Sequence, residues 1–363
     1  MTEVAGISGL STNAMPLQGD NFSPSMLVVP GFADCTGNGF ILNRHRDKKM
    51  KPIDQVLETS ARISSMEIRG AGRIAAAAAA SLRDFAIAAE AKSLEDFNQQ
   101  ISQAAGTLLK TRPTAVSLSN AIRMVMKYSA DDLPSARQAI VDNSNNFISN
   151  SERALEKIGQ IGSRRIRDGD VVMTHCNSLA AISVISTAHK SGKKIKVIAT
   201  ESRPRFQGIT TIGMLDKLGI ETELVVDSAV RSVINEVDLV VVGADVITAN
   251  GTLVNKIGTA QIALSAREAR TSFMVAAETY KFSPQTILGD LVTIEEREPT
   301  EVLPDISKYR HVRVRNPAFD VTPHQYIDLI CTEVGAIPPE MSYLIIRERL
   351  GWEMEDLHTD WMS

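Results

Sequence analysis

Cysteine is scarce in this 363-residue chain. There are three, Cys35, Cys176 and Cys331, far apart, odd in number and without CxxC spacing. That argues against a disulfide framework and a cysteine zinc site, and points to a reducing cytoplasm. Aromatic residues are only 5%, too few for base-stacking platforms. A formal net charge of −4 does not suggest a nucleic-acid binder, although it leaves room for a local basic pocket. No apolar run is long enough to span a membrane, since Ala75–Ala80 belongs to a polar-flanked helix. Met1–Pro16 has neither a basic n-region nor a continuous apolar stretch, so no signal peptide is evident. A Walker loop, a GxGxxG after the first strand and a nucleophile elbow are all missing. Nucleotide hydrolysis, hydride transfer and serine-hydrolase chemistry therefore lack support. No metal-ligand cluster appears, so no metal or other cofactor is expected. There is no repeat of solenoid length.

What is present divides into regions. Hydrophobic residues make up 44%, enough for a sizeable core and for two domains. Residues 1–49 are rich in Gly, Ser, Asn and Pro and lack sustained periodicity. They read as an irregular extension with a short strand at Ser25–Val29. Met50-Lys51-Pro52-Ile53-Asp54 looks like a domain start, which makes Met50 a candidate initiator. From Ile53 to about Ile161 the pattern is helical, giving an all-helical domain over 50–160. It breaks at Arg69-Gly70-Ala71-Gly72-Arg73, where two glycines each cost about 1 kcal/mol relative to alanine in a helix and suggest a turn or a close backbone approach. It breaks again at Lys110–Thr114.

From about Arg167 buried strands are expected at Val171–His175, Ile195–Ala199, Thr222–Val226, Leu239–Val242 and Ser272–Ala276. Helices near 179–190, 209–218, 228–235 and 259–270 separate them. This alternation predicts an α/β fold with a Rossmann-like parallel sheet over 161–345. Val312–Arg315 reads as a later strand, Pro323–Thr332 as a short helix, Pro338–Glu348 as a closing segment and 346–363 as a tail.

The stretch Val171-Val172-Met173-Thr174-His175-Cys176-Asn177-Ser178 carries the most information. Its thiol stands at a strand's carboxyl end and beside a helix N-terminus, whose N–H groups and dipole favour a thiolate. Sixty-nine residues on, Leu239-Val240-Val241-Val242-Gly243-Ala244-Asp245 ends in a carboxylate. In a doubly wound sheet both ends face one ligand crevice, where a thiol and a carboxyl can act as an acid–base pair. The ordinary role of a lone cysteine is a small buried hydrophobe, and that of such an aspartate is a turn cap; the two together argue for more. Asn255-Lys256-Ile257-Gly258-Thr259 precedes a helix and reads as an anion site. Arg69 lies beside Gly70, Ala71 and Gly72, backbone that an oxyanion can approach closely. Arg112 precedes Pro113. With Arg203 and Lys281, these cations at crevice positions suit an anionic small molecule, and two phosphates better than one.

These motifs together resemble one family. Arg69-Gly70-Ala71, Thr174-His175-Cys176-Asn177, Glu201-Ser202-Arg203-Pro204, Gly243-Ala244-Asp245, Asn255–Thr259 and Asn316–Pro323 recur there in this order, over roughly residues 51–345. The family unites sugar-phosphate aldose–ketose isomerases with the alpha, beta and delta regulatory subunits of the initiation-factor two-B exchange factor. The regulatory subunits lack the catalytic pair, which Cys176 and Asp245 supply here. The methylthioribose-1-phosphate isomerases carry the pair but look different around Glu278–Pro284. The Tyr280-Lys281-Phe282 element is similar to the archaeal ribose-1,5-bisphosphate isomerases and also to the regulatory subunits; only that archaeal branch combines it with the Cys and Asp. The resemblance therefore implies a cytoplasmic, archaeal-type isomerase making ribulose 1,5-bisphosphate in nucleotide and AMP ribose salvage. The alternatives are a methylthioribose-1-phosphate isomerase or a non-catalytic regulatory subunit. The resemblance further implies Cys176 as base and Asp245 as acid. It implies substrate contacts at Arg69, Gly70, Ala71, Gly72, Arg112, Asn255, Lys256 and Lys281, to which Ser178 at a helix start is added. The expected partner is a phosphorylated sugar, with no nucleic acid and no membrane, in a homodimer or a hexamer built as a trimer of dimers.

Overall fold

Five helices open the described part of the chain, a computed structural model that describes residues 51–284, 286 and 292–351. The expected extension at 1–49, with its strand at Ser25–Val29, lies outside these residues, as does most of the expected tail. The helices are α1 (Pro52–Ser64), α2 (Ala71–Ala88), α3 (Leu94–Leu109), α4 (Val116–Met126) and α5 (Leu133–Gly162). Both expected breaks fall between helices. Capping fixes two further starts: the Ser93 side chain accepts the Asp96 N–H at 3.1 Å and Asp132 accepts that of Ser135 at 2.7 Å. The alanine run of α2 keeps its buried face thin, with Ala75, Ala78 and Ala79 packed in a core with Leu82, Phe97, Ile101, Leu118 and Ile140. Truncating Leu82 or Leu118 to alanine should cost about 2–5 kcal/mol.

The second half alternates strands and helices. The large sheet holds β1 (Val171–Thr174), β2 (Lys196–Thr200), β3 (Glu221–Val225), β4 (Leu239–Val242), β7 (Ser272–Ala276), β9 (Leu329–Thr332) and β10 (Gly335–Ile337), in the order β10-β9-β7-β4-β1-β2-β3. All neighbours are parallel except β9 and β10. Between them run α6 (Leu179–Lys190), α7 (Gln207–Lys217), α8 (Val230–Val233) and α9 (Thr259–Ala269), and α10 (Ser342–Leu350) closes the described chain across the expected boundary at 345. The chain winds outward from β1 through β2 to β3, then returns to place β4 on β1's other side, with Val172 opposite Leu239. The switch of winding direction between β1 and β4 opens a crevice at their carboxyl ends.

Three details differ from the sequence reading. A second, antiparallel sheet joins β5 (Val246–Ile247), β6 (Leu253–Lys256) and β8 (Phe319–Thr322). Asn255 and Lys256 therefore end a strand rather than a loop. Pro323–Thr332 is no helix: one helical turn at His324–Tyr326 leads into β9, because Leu329-Ile330-Cys331 is an apolar run that fills a place beside β7. Val312–Arg315 forms no strand, for no neighbour pairs with it.

Two residues of α4 fix this corner, Ser117 within the helical half and Asn120 across to the second. Ser117 Oγ donates to Ala71 O at 3.0 Å, and Asn120 Nδ2 donates to the carbonyls of Tyr280 and Phe282, both at 2.9 Å. The N-termini of α2 and α4 thus sit over the segment that follows β7.

Candidate active site

A cavity of about 350 Å³ lies between those helix N-termini and the carboxyl ends of β1, β4 and β6. Cys176, Asp245, Arg69, Gly70, Ala71, Gly72, Arg112, Ser178, Asn255, Lys256 and Lys281 all line it, so every residue singled out as a site residue is brought together. Arg203 does not line it; its guanidinium lies 5.0 Å from the Phe206 ring centroid, while Arg205 faces the cavity instead.

Cys176 leaves β1 in a left-handed conformation, φ 65°. Burial pushes its thiol up to about 11, against the pull of Lys256 and of the Asn177 N–H; the charges of Asp245 and Asp227 push it up further. The helix N-terminus does not deliver the expected thiolate. Ser178 Oγ caps α6 by accepting the Ala181 N–H at 3.3 Å, and desolvation outweighs the helix dipole. Gly243 makes room for that Ser178, whose Oγ would collide with any Cβ there. Burial also raises the Asp245 carboxyl, opposed first by Lys281, then by Lys256 and Arg112. The sequence left that balance open; desolvation wins.

His175, next to the thiol in sequence, also lines the cavity, but both its ring nitrogens are engaged elsewhere. Nε2 lies 2.9 Å from the carbonyl of Ile257, so it carries the proton, and Nδ1 accepts from Thr200 Oγ1 at 2.5 Å. Burial lowers its pKa, and the neutral ring braces β1, β2 and the Ile257 loop.

The cations differ in their availability. Lys256 Nζ sits 5.6 Å from the Phe319 ring centroid. The helix start behind it is already occupied: Asp320 accepts the Gly258 N–H at 2.7 Å and the Ala260 N–H at 3.1 Å. The anion site expected there therefore reduces to the lysine. Burial lifts Asp320 to about 6, against the N–H groups of Ala260 and Gly258. Lys281 is buried and lies 2.7 Å from Glu278 Oε2, while Arg112 is ion-paired with Glu295. Arg69 and Arg73 form no ion pair or hydrogen bond among the described residues and flank the uncapped start of α2. Partial burial of the guanidinium and the neighbouring Arg69 lower the pKa of Arg73, although the residue as a whole is exposed. Two glycines permit this corner in different ways. Gly70 turns the chain at φ 93°, and a Cβ on Gly72 would stand 2.9 Å from the Tyr280 hydroxyl.

Sequence reasoning missed Arg73, His175, Ser202, Asp227, Glu278 and Asp320 as builders of the site. Asp227 carried a usable signal, since it follows a strand end as Asp245 does. Glu295 carried none, being 183 residues from Arg112. Among the described residues no group of His, Cys, Asp and Glu could hold a metal ion, and no helix is long and apolar enough to cross a membrane.

A thiol and a carboxyl at neighbouring strand ends, lining one cavity together with several cations, define an α/β protein with a site suited to a small anion. The chain belongs to the initiation factor 2 subunit family, whose model matches residues 67–339. It is 60% identical over 300 residues to a ribose 1,5-bisphosphate isomerase of Archaeoglobus fulgidus, covering 83% of this chain and 95% of that one. It is 52% identical over 304 residues to a ribose 1,5-bisphosphate isomerase of Methanocaldococcus jannaschii, covering 84% and 98%. The solved structure of a Pyrococcus horikoshii translation initiation factor eIF-2B is similar with a TM-score of 0.69 at 34% identity, covering 79% of this chain and 98% of that one.

Proposed function

We propose that this chain isomerises ribose 1,5-bisphosphate to ribulose 1,5-bisphosphate, with Cys176 as base and Asp245 as acid. The observation that carries the reading is the pairing of thiol and carboxyl at the β1/β4 switch point, in a cavity ringed by Arg69, Arg73, Arg112, Lys256 and Lys281. The relatives' names supply the sugar. A phosphate on C1 blocks spontaneous opening to a free aldehyde, so the bond between C1 and the ring oxygen must break while the C1 phosphate stays. Asp245, kept protonated by burial, donates to the ring oxygen. Cys176 as thiolate takes the C2 proton, giving an enediol-like species, and a proton returned to C1 completes the ketose.

In the empty site burial keeps the thiol itself protonated near neutral pH, since it sits near 11. The reactive form is the minor one, with the single proton on Asp245. Assembly into dimers or hexamers is part of the proposal. The edge strand β3, with Leu224 41% exposed and Val226 after it 52% exposed, offers a surface for it, and sedimentation would read the assembly directly.

The deciding assay is turnover by the purified protein, followed by phosphorus NMR. Conversion of ribose 1,5-bisphosphate to the ketose is expected. A preference for methylthioribose 1-phosphate would change the substrate. Binding without turnover would favour the regulatory-subunit reading.

A further inference from the structure

Ser202 lies just beyond β2, within Glu201-Ser202-Arg203-Pro204, and is fully buried although it lines no part of the cavity. Like Cys176 it is a non-glycine residue in the left-handed region, φ 62°, a conformation that side chains disfavour unless their surroundings impose it. The two strained residues hold each other: the Cys176 N–H donates to Ser202 Oγ at 2.8 Å. Ser202 is fixed in turn from the end of β3. Asp227 Oδ1 accepts the Ser202 N–H at 2.8 Å and Oδ2 accepts the Arg203 N–H at 2.7 Å. The hydroxyl is further enclosed by Thr200 O at 3.4 Å and His175 Nδ1 at 3.3 Å. Three strand ends thus form a chain of contacts, β3 to β2 to β1, that terminates on the backbone of the cysteine.

The left-handed turn at Cys176 has a chemical consequence. It ends the strand at the residue that carries the sulfur and so sets where the thiol stands; the Asn177 N–H works against the effect of burial on that thiol.

We propose that Ser202, held by Asp227, is a positioning residue for Cys176: its hydroxyl locks the left-handed turn that sets the placement of the thiol. This rests on the reading of Cys176 as the base. Ser202 acts through the cysteine backbone and touches no substrate. Asp227 has both oxygens committed to backbone N–H groups and works one step further back. The charged groups that act on the sulfur are Lys256, Asp245 and Asp227; replacing Ser202 alters none of them.

The test uses Ser202→Gly and Ser202→Ala in the full chain. Glycine removes the hydroxyl while leaving the left-handed backbone unstrained, so it keeps the fold where alanine adds strain. In both, kcat should fall about 10- to 100-fold with KM within about threefold, as for a misplaced catalytic group. Peptide-resolved alkylation of Cys176 by iodoacetamide at pH 9 should slow about tenfold, the effect of raising the thiol pKa by about one unit. Unchanged alkylation in Ser202→Gly overturns the proposal, whatever happens to activity or melting temperature. Because alkylation needs no substrate, slowed alkylation with an inactive wild type would leave the positioning role standing and remove only the base assignment.

Discussion

The two walls of the cavity solve opposite problems. The strand wall carries Cys176, Asp245, Asn255 and Lys256, closely packed against the sheet, and burial there pushes both the thiol and the carboxyl toward their neutral forms. The helical wall carries Arg69 and Arg73, exposed and without carboxylate partners among the described residues, at the open start of α2. The contrast repeats at the helix starts themselves. Gly70 precedes α2 and Gly258 precedes α9, yet only the first is left uncapped, since Asp320 fills the second. A glycine and a cation before a helix are therefore not enough to define an anion site; the residue that caps the helix decides. Dehydrated groups suit proton transfer and unpaired cations suit capture of a phosphate, so the two walls should fail differently when damaged.

The largest effect is expected on the strand wall. Cys176→Ser should cut kcat by about 10²–10⁴-fold and leave KM within about threefold, because a hydroxyl packs like a thiol but is a far weaker base at neutral pH. Single-turnover measurements beside substrate titration separate the two terms. Near-wild-type turnover would remove the thiol from the mechanism.

The pH profile comes next, and its sign follows from the shifts. The reactive form holds one proton on the Cys176–Asp245 pair. Below the raised pKa of Asp245 the pair holds two, and above about 11 it holds none. Consequently kcat/KM should rise with pH through the Asp245 pKa and stay level until near pH 11. Asp245→Asn should be nearly inactive and its residual rate should lack that acid limb. A wild-type profile already falling by pH 9 would count against the thiol as base.

The strand wall was also the more legible one. Strand–helix alternation located β1 and β4, and an apolar run ending in Cys or Asp is visible without coordinates. The helical wall was read through its glycines, which mark Gly70 and Gly72 correctly for two different reasons. The partners of the cations could not be read. Glu295 reaches Arg112 from 183 residues away, and Asp320 reaches Gly258 across the β6–β8 pairing, so only tertiary structure brings them together. The small antiparallel sheet escaped notice because β5 has two residues and β6 ends in polar Asn255 and Lys256. Val312–Arg315 misled in the other direction, since its alternation suits a strand but nothing pairs with it.

Lys281 sits between the walls, a buried cation whose charge Glu278 balances. Lys281→Ala should lower kcat/KM for ribose 1,5-bisphosphate by about one to two orders of magnitude. It should also lower the melting temperature, because Glu278 is left as an unpaired buried charge. The double variant Lys281→Met/Glu278→Gln should recover the melting temperature and not the activity. Lys281 is the main influence holding the Asp245 carboxyl down, so its removal should also move the acid limb of kcat/KM to higher pH. Recovery of activity along with stability in the double variant would make the lysine structural only.

The smallest effect is expected from Arg73, on the open wall. Its guanidinium folds back over the turn before α2, where a Cβ on Gly70 would lie 3.5 Å from Arg73 Nε. Together with Arg69 it offers an incoming phosphate two unpaired cations beside free helix N–H groups. Arg73→Met keeps the apolar stem and removes the charge. Because the site is open to solvent, the charge is partly screened, and KM should rise only about three- to tenfold with kcat unchanged. The increase should shrink in 0.5 M salt, to about half or less, since the Debye length there is only a few ångströms. A fall in kcat at constant KM would instead place Arg73 with the proton-transfer groups, and the division of labour between the two walls would not hold.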